Sequence, residues 1–432
     1  MRPFPESVRA ARRALGALLL LAGLPALPAA PESPDNPREL LQWTDRERPS
    51  PEGPLTVVRV TTPDAFKIEK RYRSMEGPWQ RVEIRPEKTP EWATLAASCG
   101  AKTKELLWWK GATIEVVDAE TGQNLGPEFM CHLNLDVDAR AQQAAFPGWP
   151  WSPARLLTLT QGEMHFELPP GYGVPFPSDA VFTALFQVLN HNRDGKFKVR
   201  QRLTLYFVRD RDLFVPLQPV TWYVPFVFLP LDGNLPAGAE SDRKLCPCCV
   251  QMPTALNAPN NTSNGTWTDV SGRRMSGHWQ VPPGRREWRT PAILSSPGFP
   301  VADSRVVASW SHVHPFCEDL RLIHHDPKCG PVEILRNTVV SLGGGKVGLD
   351  KIRSFHSTEG VPLPPGSYEV AVSYHNTSPK PQDSMASLGL YLTLPTFLRP
   401  EWASRADNAN PDAISCGTPP PPGAKPAQPS MH

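Results

Sequence analysis

Apolar and polar positions alternate with a period of two along most of the chain from Leu55 onward, and that alternation predicts strands. The stretches Leu55–Thr61, Thr113–Val117, Phe129–Val137, Leu156–Thr160, Val181–Leu189 and Phe197–Phe207 are rich in β-branched and aromatic residues. Turn signals part them, among them Pro63-Asp64, Thr121-Gly122 and Arg193-Asp194-Gly195. Trp222–Leu229 reads as the last strand of a first block. Residues 231–245 read as a linker, and a second strand-rich block follows with Val306–Val313 as one clear strand. Only Glu91–Ala97 and Ala139–Ala145 look helical. The fold class expected is all-β, with two tandem antiparallel β-sandwich (jelly-roll) domains at 55–230 and 246–400. Residues 31–54 read as a flexible lead-in and 401–432 as a disordered tail, from their proline and charge content.

Composition changes this picture little. The 52 prolines and 30 glycines among 432 residues suit short strands joined by turns. A net charge of +2 creates no field for nucleic acid or a membrane surface, so neither is an expected partner. The start is more telling. Arg9, Arg12 and Arg13 precede an apolar run, Ala14–Leu24, that is too short to span a bilayer, and small residues follow at Ala29-Ala30. Residues 1–30 therefore read as a signal peptide, with an uncleaved N-terminal anchor as the alternative. The expectation is a secreted or periplasmic protein with no integral membrane segment after cleavage. Export makes the eight cysteines (Cys99, Cys131, Cys246, Cys248, Cys249, Cys317, Cys329 and Cys416) candidates for disulfides. Cys246-Pro247-Cys248-Cys249 also has the look of half a zinc site, but the second half is missing. Cys317 and Cys329 flank an expected hairpin turn at His325-Asp326-Pro327 and are a candidate local bridge. Asn-x-Ser/Thr triplets at Asn260, Asn261, Asn264 and Asn376 are glycosylation candidates in a eukaryotic source.

The candidate chemistry concentrates between Gly277 and Leu394. His312 and His314 form a His-x-His pair on the Val306–Val313 strand and its end, and the strand period sends both imidazoles to one face. Two imidazoles do not close a metal site, so a third ligand has to come from elsewhere, and Met385 is the candidate. A His2Met set is soft on one side and suits copper, above all Cu(I). Each piece alone has a plainer reading. A His-x-His pair is usually exposed or hydrogen-bonded, and a Met in an apolar strand is nearly always core packing.

The order of the pieces adds weight. V-P-P-G (Val281–Gly284), H-x-H, P-P-G-x-Y (Pro364–Tyr368), Y-x-N (Tyr374–Asn376) and D-x-M (Asp383–Met385) together resemble the second domain of the copper type II, ascorbate-dependent monooxygenases, relatives of peptidylglycine α-hydroxylating and dopamine β-monooxygenases. The resemblance implies that His312, His314 and Met385 hold the oxygen-binding copper. It extends over most of residues 110–395. In that family a His-His pair and a later His in a Q-V-H segment hold a second, electron-transfer copper. Here E-F-M-C-H (Glu128–His132) puts Cys131 where the first of the pair stands and keeps His132 as the second. Q-V-L-N-H (Gln187–His191) has Leu189 at the ligand position, with His191 two residues on and facing the same side. Cys131, His132 and His191 are thus weaker copper candidates in a degenerate first site. Cys131 and His132, adjacent on a strand, are expected to point to opposite faces, and His132 alone reads more simply as a core or hydrogen-bonded histidine.

Other histidines are weighed against plainer roles. His356, and similarly His278, are candidates to line the cleft beside His312. His324-His325-Asp326 reads as a solvated loop and His165 as structural, while at His375 turn bonding or sequon chemistry explains the surroundings as well as metal does. No G-x-S-x-G, H-E-x-x-H or phosphate-cradling loop is present, and Gly343–Lys346 reads as a hairpin loop. The function expected from the resemblance is an exported copper-dependent monooxygenase. It would hydroxylate a C–H bond of a small-molecule or peptide substrate with O2, taking electrons from ascorbate or another external reductant. The alternative is a non-catalytic extracytoplasmic copper-binding protein on the same scaffold. A metal-free β scaffold is the third reading, since fold alone implies no activity.

Overall fold

The alternating segments form the expected strands. The computed structural model describes residues 49–72, 76–89, 104–150, 152–230, 266–268, 274–292, 299 and 301–403. All of these lie in one compact unit, residues 43–432. Among them the one α-helix is Ala139–Ala145, and the rest of the regular structure is strand with short 3-10 turns. The Asp138 carboxylate caps that helix by accepting the Arg140 and Ala141 N–H groups. The fold is all-β, two antiparallel β-sandwiches in tandem.

An 11-stranded sheet is the common spine. Its main path runs Pro49–Ser50, Gly53–Thr61, Phe197–Arg209, Leu106–Asp118, Tyr172–Pro177, Gln218–Tyr223, Ala386–Thr393, Arg305–Val313 and His356–Pro362. It passes from the first block into the second where Val220–Tyr223 pairs antiparallel with Leu390–Thr393. The pairing of Gln218–Tyr223 with Tyr172–Pro177 is parallel. A four-stranded sheet (Trp79–Ile84, Phe182–Val188, Met130–Val137, Arg155–Thr160) packs on the first half of the spine. Leu133, Leu135 and Phe186 of that sheet share a core with Ile114, Leu203 and Leu205 of the spine. A five-stranded sheet (Gly284–Pro291, Ser367–Asn376, Cys317–Asp326, Gly330–Ser341, Leu349–Arg353) packs on the second half. There Leu320, Leu322, Val370 and Val372 meet Val306, Leu388 and Leu390. Each such buried side chain contributes about 1.5–3 kcal/mol of transfer free energy.

Several expectations change. The Trp222–Leu229 strand is interrupted after Tyr223, because Pro225 has no N–H to donate to a ladder, and pairing resumes in the same register at Phe226–Ser387. The lead-in is partly ordered, since Pro49–Ser50 pairs with Gly53–Pro54. Cys317 and Cys329 are both free thiols. Cys317 opens the strand Cys317–Asp326 and Cys329 lies in the turn beyond its far end. Ten strand residues span about 30 Å, far beyond the Cα separation a disulfide tolerates. His324 is buried in that strand, not in a solvated loop, and its Nε2 lies 3.2 Å from the Pro365 carbonyl. Asn376 is buried, and its side-chain amide donates to the Val281 and Lys380 carbonyls, which leaves nothing for a glycan to attach to. The signal peptide, the 231–245 linker, the Glu91–Ala97 helix, Cys99, Cys246, Cys248, Cys249, Cys416, Asn260, Asn261 and Asn264 lie outside the described residues, as does the tail beyond residue 403.

Candidate metal centre

The strand Arg305–Val313 positions the histidine pair. Val306 pairs with Leu392 and Ala308 with Tyr391, so Val307 is an extra residue that resets the alternation. Beyond it Ala308 and Trp310 join the first core, while Ser309 and Ser311 turn to the five-stranded sheet, where Asn337 bonds both hydroxyls at 2.8 Å. By the same period His312 and His314 face the first sandwich, away from the interior of their own. Pro315 follows His314 at once and ends the strand there.

Four histidine rings meet at this junction. The His312 and His314 centroids are 5.5 Å apart, those of His312 and His132 5.0 Å, and those of His314 and His278 6.2 Å. All four side chains are 5% exposed or less. Asp383 anchors one end of the row. Its Oδ2 lies 3.1 Å from His314 Nδ1, and its Oδ1 lies 3.9 Å from His278 Nδ1. Burial alone would push the Asp383 carboxyl up, but the nearby His278 ring and the hydrogen bond with His314 outweigh that and hold it well below the usual carboxylate range. The carboxylate stays ionised, and a carboxylate on Nδ1 directs a histidine's Nε2 outward as a lone-pair donor.

The other end comes from the first sandwich. His132 lies opposite Gln187 on one neighbouring strand and Thr160 on the other. The pairing skips from Gln187–His132 to Val188–Met130, so Cys131 is bulged out of the ladder. That corrects the expectation of opposite faces: the Cys131 Sγ lies 3.2 Å from His132 Nδ1. Next to them Arg155 donates to Asn134 at 2.8 Å and is ion-paired with Asp136.

Met385 sits between the strands Gln382–Ser384 and Ala386–Thr393, buried in the first apolar core. The register Val313–Ala386 puts it beside His314 at the strand ends. Tyr374 ties the two backbones together: its hydroxyl donates to the Met385 carbonyl at 2.5 Å and accepts the His314 N–H at 3.3 Å. His191 borders the group. It lies within electrostatic reach of His314 and hydrogen-bonds the Val347 backbone, and burial pushes its pKa down to about 4. His356 is set apart. It pairs with Ala308, four residues back from His312 and so about 13 Å along the strand, and its ring lies on Phe166. His165 is held by Thr113, and His375 by Glu318 on the surface. Asp383 is the residue that sequence reasoning passed over. The signal was in the D-x-M spacing, which puts Asp383 and Met385 on one face.

The donors suit a soft or borderline cation. Nε2 of His132 and Nδ1 of His312 are buried without a hydrogen-bond partner, which is costly for a polar atom unless something else occupies the lone pair. Burial pushes the pKa of His132 down to about 3 and that of His312 well below the ordinary histidine value, so both rings are neutral at pH 7. At metal–nitrogen bonds of about 2.0–2.1 Å, two imidazoles on one ion stand about 5–5.5 Å apart centre to centre. Two of the three ring separations fall at that spacing. Among the described residues no group of three or more His, Cys, Asp or Glu side chains is placed to hold a metal ion as it stands. Three of them could share one ion only if their rings turned.

No protein-family profile matches the chain, and no curated protein matches it in sequence. Among solved structures it is similar to the STIV MCP, at 10% identity over 78% of this chain and 97% of that one, with a TM-score of 0.26. It is also similar to the cowpea mosaic virus top component, a naturally occurring empty particle, at 11% identity over 84% and 97% with a TM-score of 0.32. Likenesses this slight carry no argument about the chain.

Proposed function

We propose that this protein is an extracytoplasmic copper-binding protein, holding one copper ion as Cu(I) with His312, His314 and Met385 as ligands. The observation that carries the reading is the buried, unpartnered His312 nitrogen beside the carboxylate-anchored His314 ring. A buried, ionised Asp383 supplies a negative charge that a monovalent cation would balance. A thioether in the ligand set would favour Cu(I) over harder ions. The N-terminal basic and apolar run supports export. When bound, copper would supply one-electron chemistry at the junction. The chain's own part is to orient the imidazoles through Asp383 and to exclude water by burying them.

Burial favours holding the ion over using it. His312, His314 and Met385 are all nearly inaccessible, and hydroxylation needs a substrate C–H bond brought next to the metal. Cu(I) titration against a competing chelator tests the reading. One copper per chain is expected, with weaker binding in His312→Ala and Met385→Ala. No copper bound by the intact protein overturns it. Oxygen uptake with ascorbate and glycine-extended peptides separates holding from monooxygenation: silence fits holding, and turnover sensitive to His312→Ala restores the enzyme reading.

A further inference from the structure

The first sandwich also reaches the proposed copper position. We infer that His132 is a further ligand of the same ion, through Nε2, so that the metal ties the two sandwiches together. This rests on the copper reading above.

The proton bookkeeping at His132 points to that nitrogen. Gln187 is fixed, because its Nε2 donates to the Gly77 carbonyl at 2.9 Å. Its Oε1 therefore faces the Cys131 thiol, which donates to it at 3.8 Å. With its proton spent there, Sγ accepts the Nδ1–H of His132 at 3.2 Å. A neutral imidazole protonated on Nδ1 has its lone pair on Nε2, and that atom is buried without a partner. The ring it belongs to stands 5.0 Å from that of His312, the spacing of two imidazoles sharing an ion. The neighbouring Arg155 spends its Nε on Asp136 and its Nη1 on Asn134 and Thr158.

The bulge at Cys131 thus works as a positioning device. It turns the thiol onto Nδ1, which fixes the tautomer and leaves the lone pair on Nε2. The ligand group then draws on both blocks: His132 from the strand Met130–Val137, His312 and His314 from Arg305–Val313 and its end. In this arrangement His132 belongs to the His312 centre and not to a separate first site.

Cu(I) titration of the intact protein and of His132→Ala, with circular dichroism as a check of folding, tests this. Outer-sphere partners of metal sites cost about 10–100-fold in affinity when removed, so loss of a ligand should weaken binding at least tenfold. The copper-induced rise in Tm should shrink with it. X-ray absorption at the copper edge of the intact protein should show three imidazoles. Binding by His132→Ala within twofold of the intact protein, or two imidazoles in the absorption fit, overturns the inference and leaves the copper reading standing. No copper in the intact protein removes both. If His132→Ala fails to fold, the imidazole count of the intact protein decides.

Discussion

Asp383 offers the sharpest test of how the junction is built. Its carboxylate lies 3.1 Å from His314 Nδ1 and 3.9 Å from His278 Nδ1. Replacing it with alanine removes a charge-assisted acceptor, an interaction of about 1.5–3 kcal/mol. It also frees the His314 ring to turn or to change tautomer, so that Nε2 is no longer pre-aimed. Carboxylates in this position tune metal affinity by about 10–100-fold, which corresponds to about 1.4–2.7 kcal/mol. Asp383→Asn should fall nearer the lower figure. The amide oxygen can still accept, and the Asp383 backbone carbonyl, 3.3 Å from Nδ1, remains in place. The assay is chelator competition for Cu(I) at fixed pH, with circular dichroism to confirm the fold. The expected order of affinity is intact protein, Asp383→Asn, Asp383→Ala. Equal affinities in all three, with the fold unchanged, would refute the idea that the carboxylate orients a ligand.

Other outcomes follow from the same geometry. Gly389→Ala should destabilise by about 1–3 kcal/mol or more, because a Cβ there would lie 1.9 Å from the buried Trp310 indole; urea unfolding measures it. Peptide mapping without reductant should find no Cys317–Cys329 link, and a Cys317–Cys329 dipeptide cross-link would contradict the strand register. Expressed in a glycosylating host, the protein should carry no glycan at Asn376, whose amide is buried and bonded; intact-peptide mass spectrometry decides. Without metal, stability should fall on the acid side. Burial depresses His132 to about 3 and His191 to about 4 in the folded state. Below the unfolded histidine value near 6.5 only the unfolded chain takes up these protons. Their stabilising contribution is therefore full above about pH 6.5 and is lost as pH falls toward the folded values, at up to about 1.4 kcal/mol per pH unit per proton. A Tm flat between pH 7 and 5 would contradict this, provided Glu163, which works in the opposite sense, is replaced.

Much of the fold was legible because strand periodicity is local. The alternation in Phe197–Phe207 or Val306–Val313 is set by which side chains need burial, and neighbours two apart share that need whatever the sheet order. Sheet order is not local. Nothing in Gln218–Tyr223 announces that it pairs with Ala386–Thr393 and carries one sheet through both blocks. For the same reason the His-x-His pair was readable as a pair, while the face it occupies was not. The extra residue at Val307 decides that face, and it is visible only in the pairing with Leu392 and Tyr391. Cys131 makes the point again. The strand rule puts it opposite His132, and a one-residue bulge against Gln187 and Val188 brings them together.

Glu163 shows how far the junction depends on such non-local placement. It lies in the turn after Arg155–Thr160, and its Oε2 accepts the Ser311 N–H from the other sandwich at 3.2 Å. Burial raises its pKa to about 8, against the lowering effect of the nearby Ser354 hydroxyl and of the Ser311 N–H. A raised folded value means that the folded state holds this proton where the unfolded chain has lost it. The stabilising contribution is full below the ordinary carboxylate value near 4.5 and is lost as pH rises through about 8. Glu163→Gln keeps an oxygen to accept the Ser311 N–H and has no proton to lose. Above pH 8 the variant should therefore melt at a higher temperature than the native chain, and the gap should close as pH falls toward 5. Parallel melting curves across that range would mean that the carboxyl is not desolvated between the sandwiches, and that the junction housing the histidines is wetter than its packing indicates.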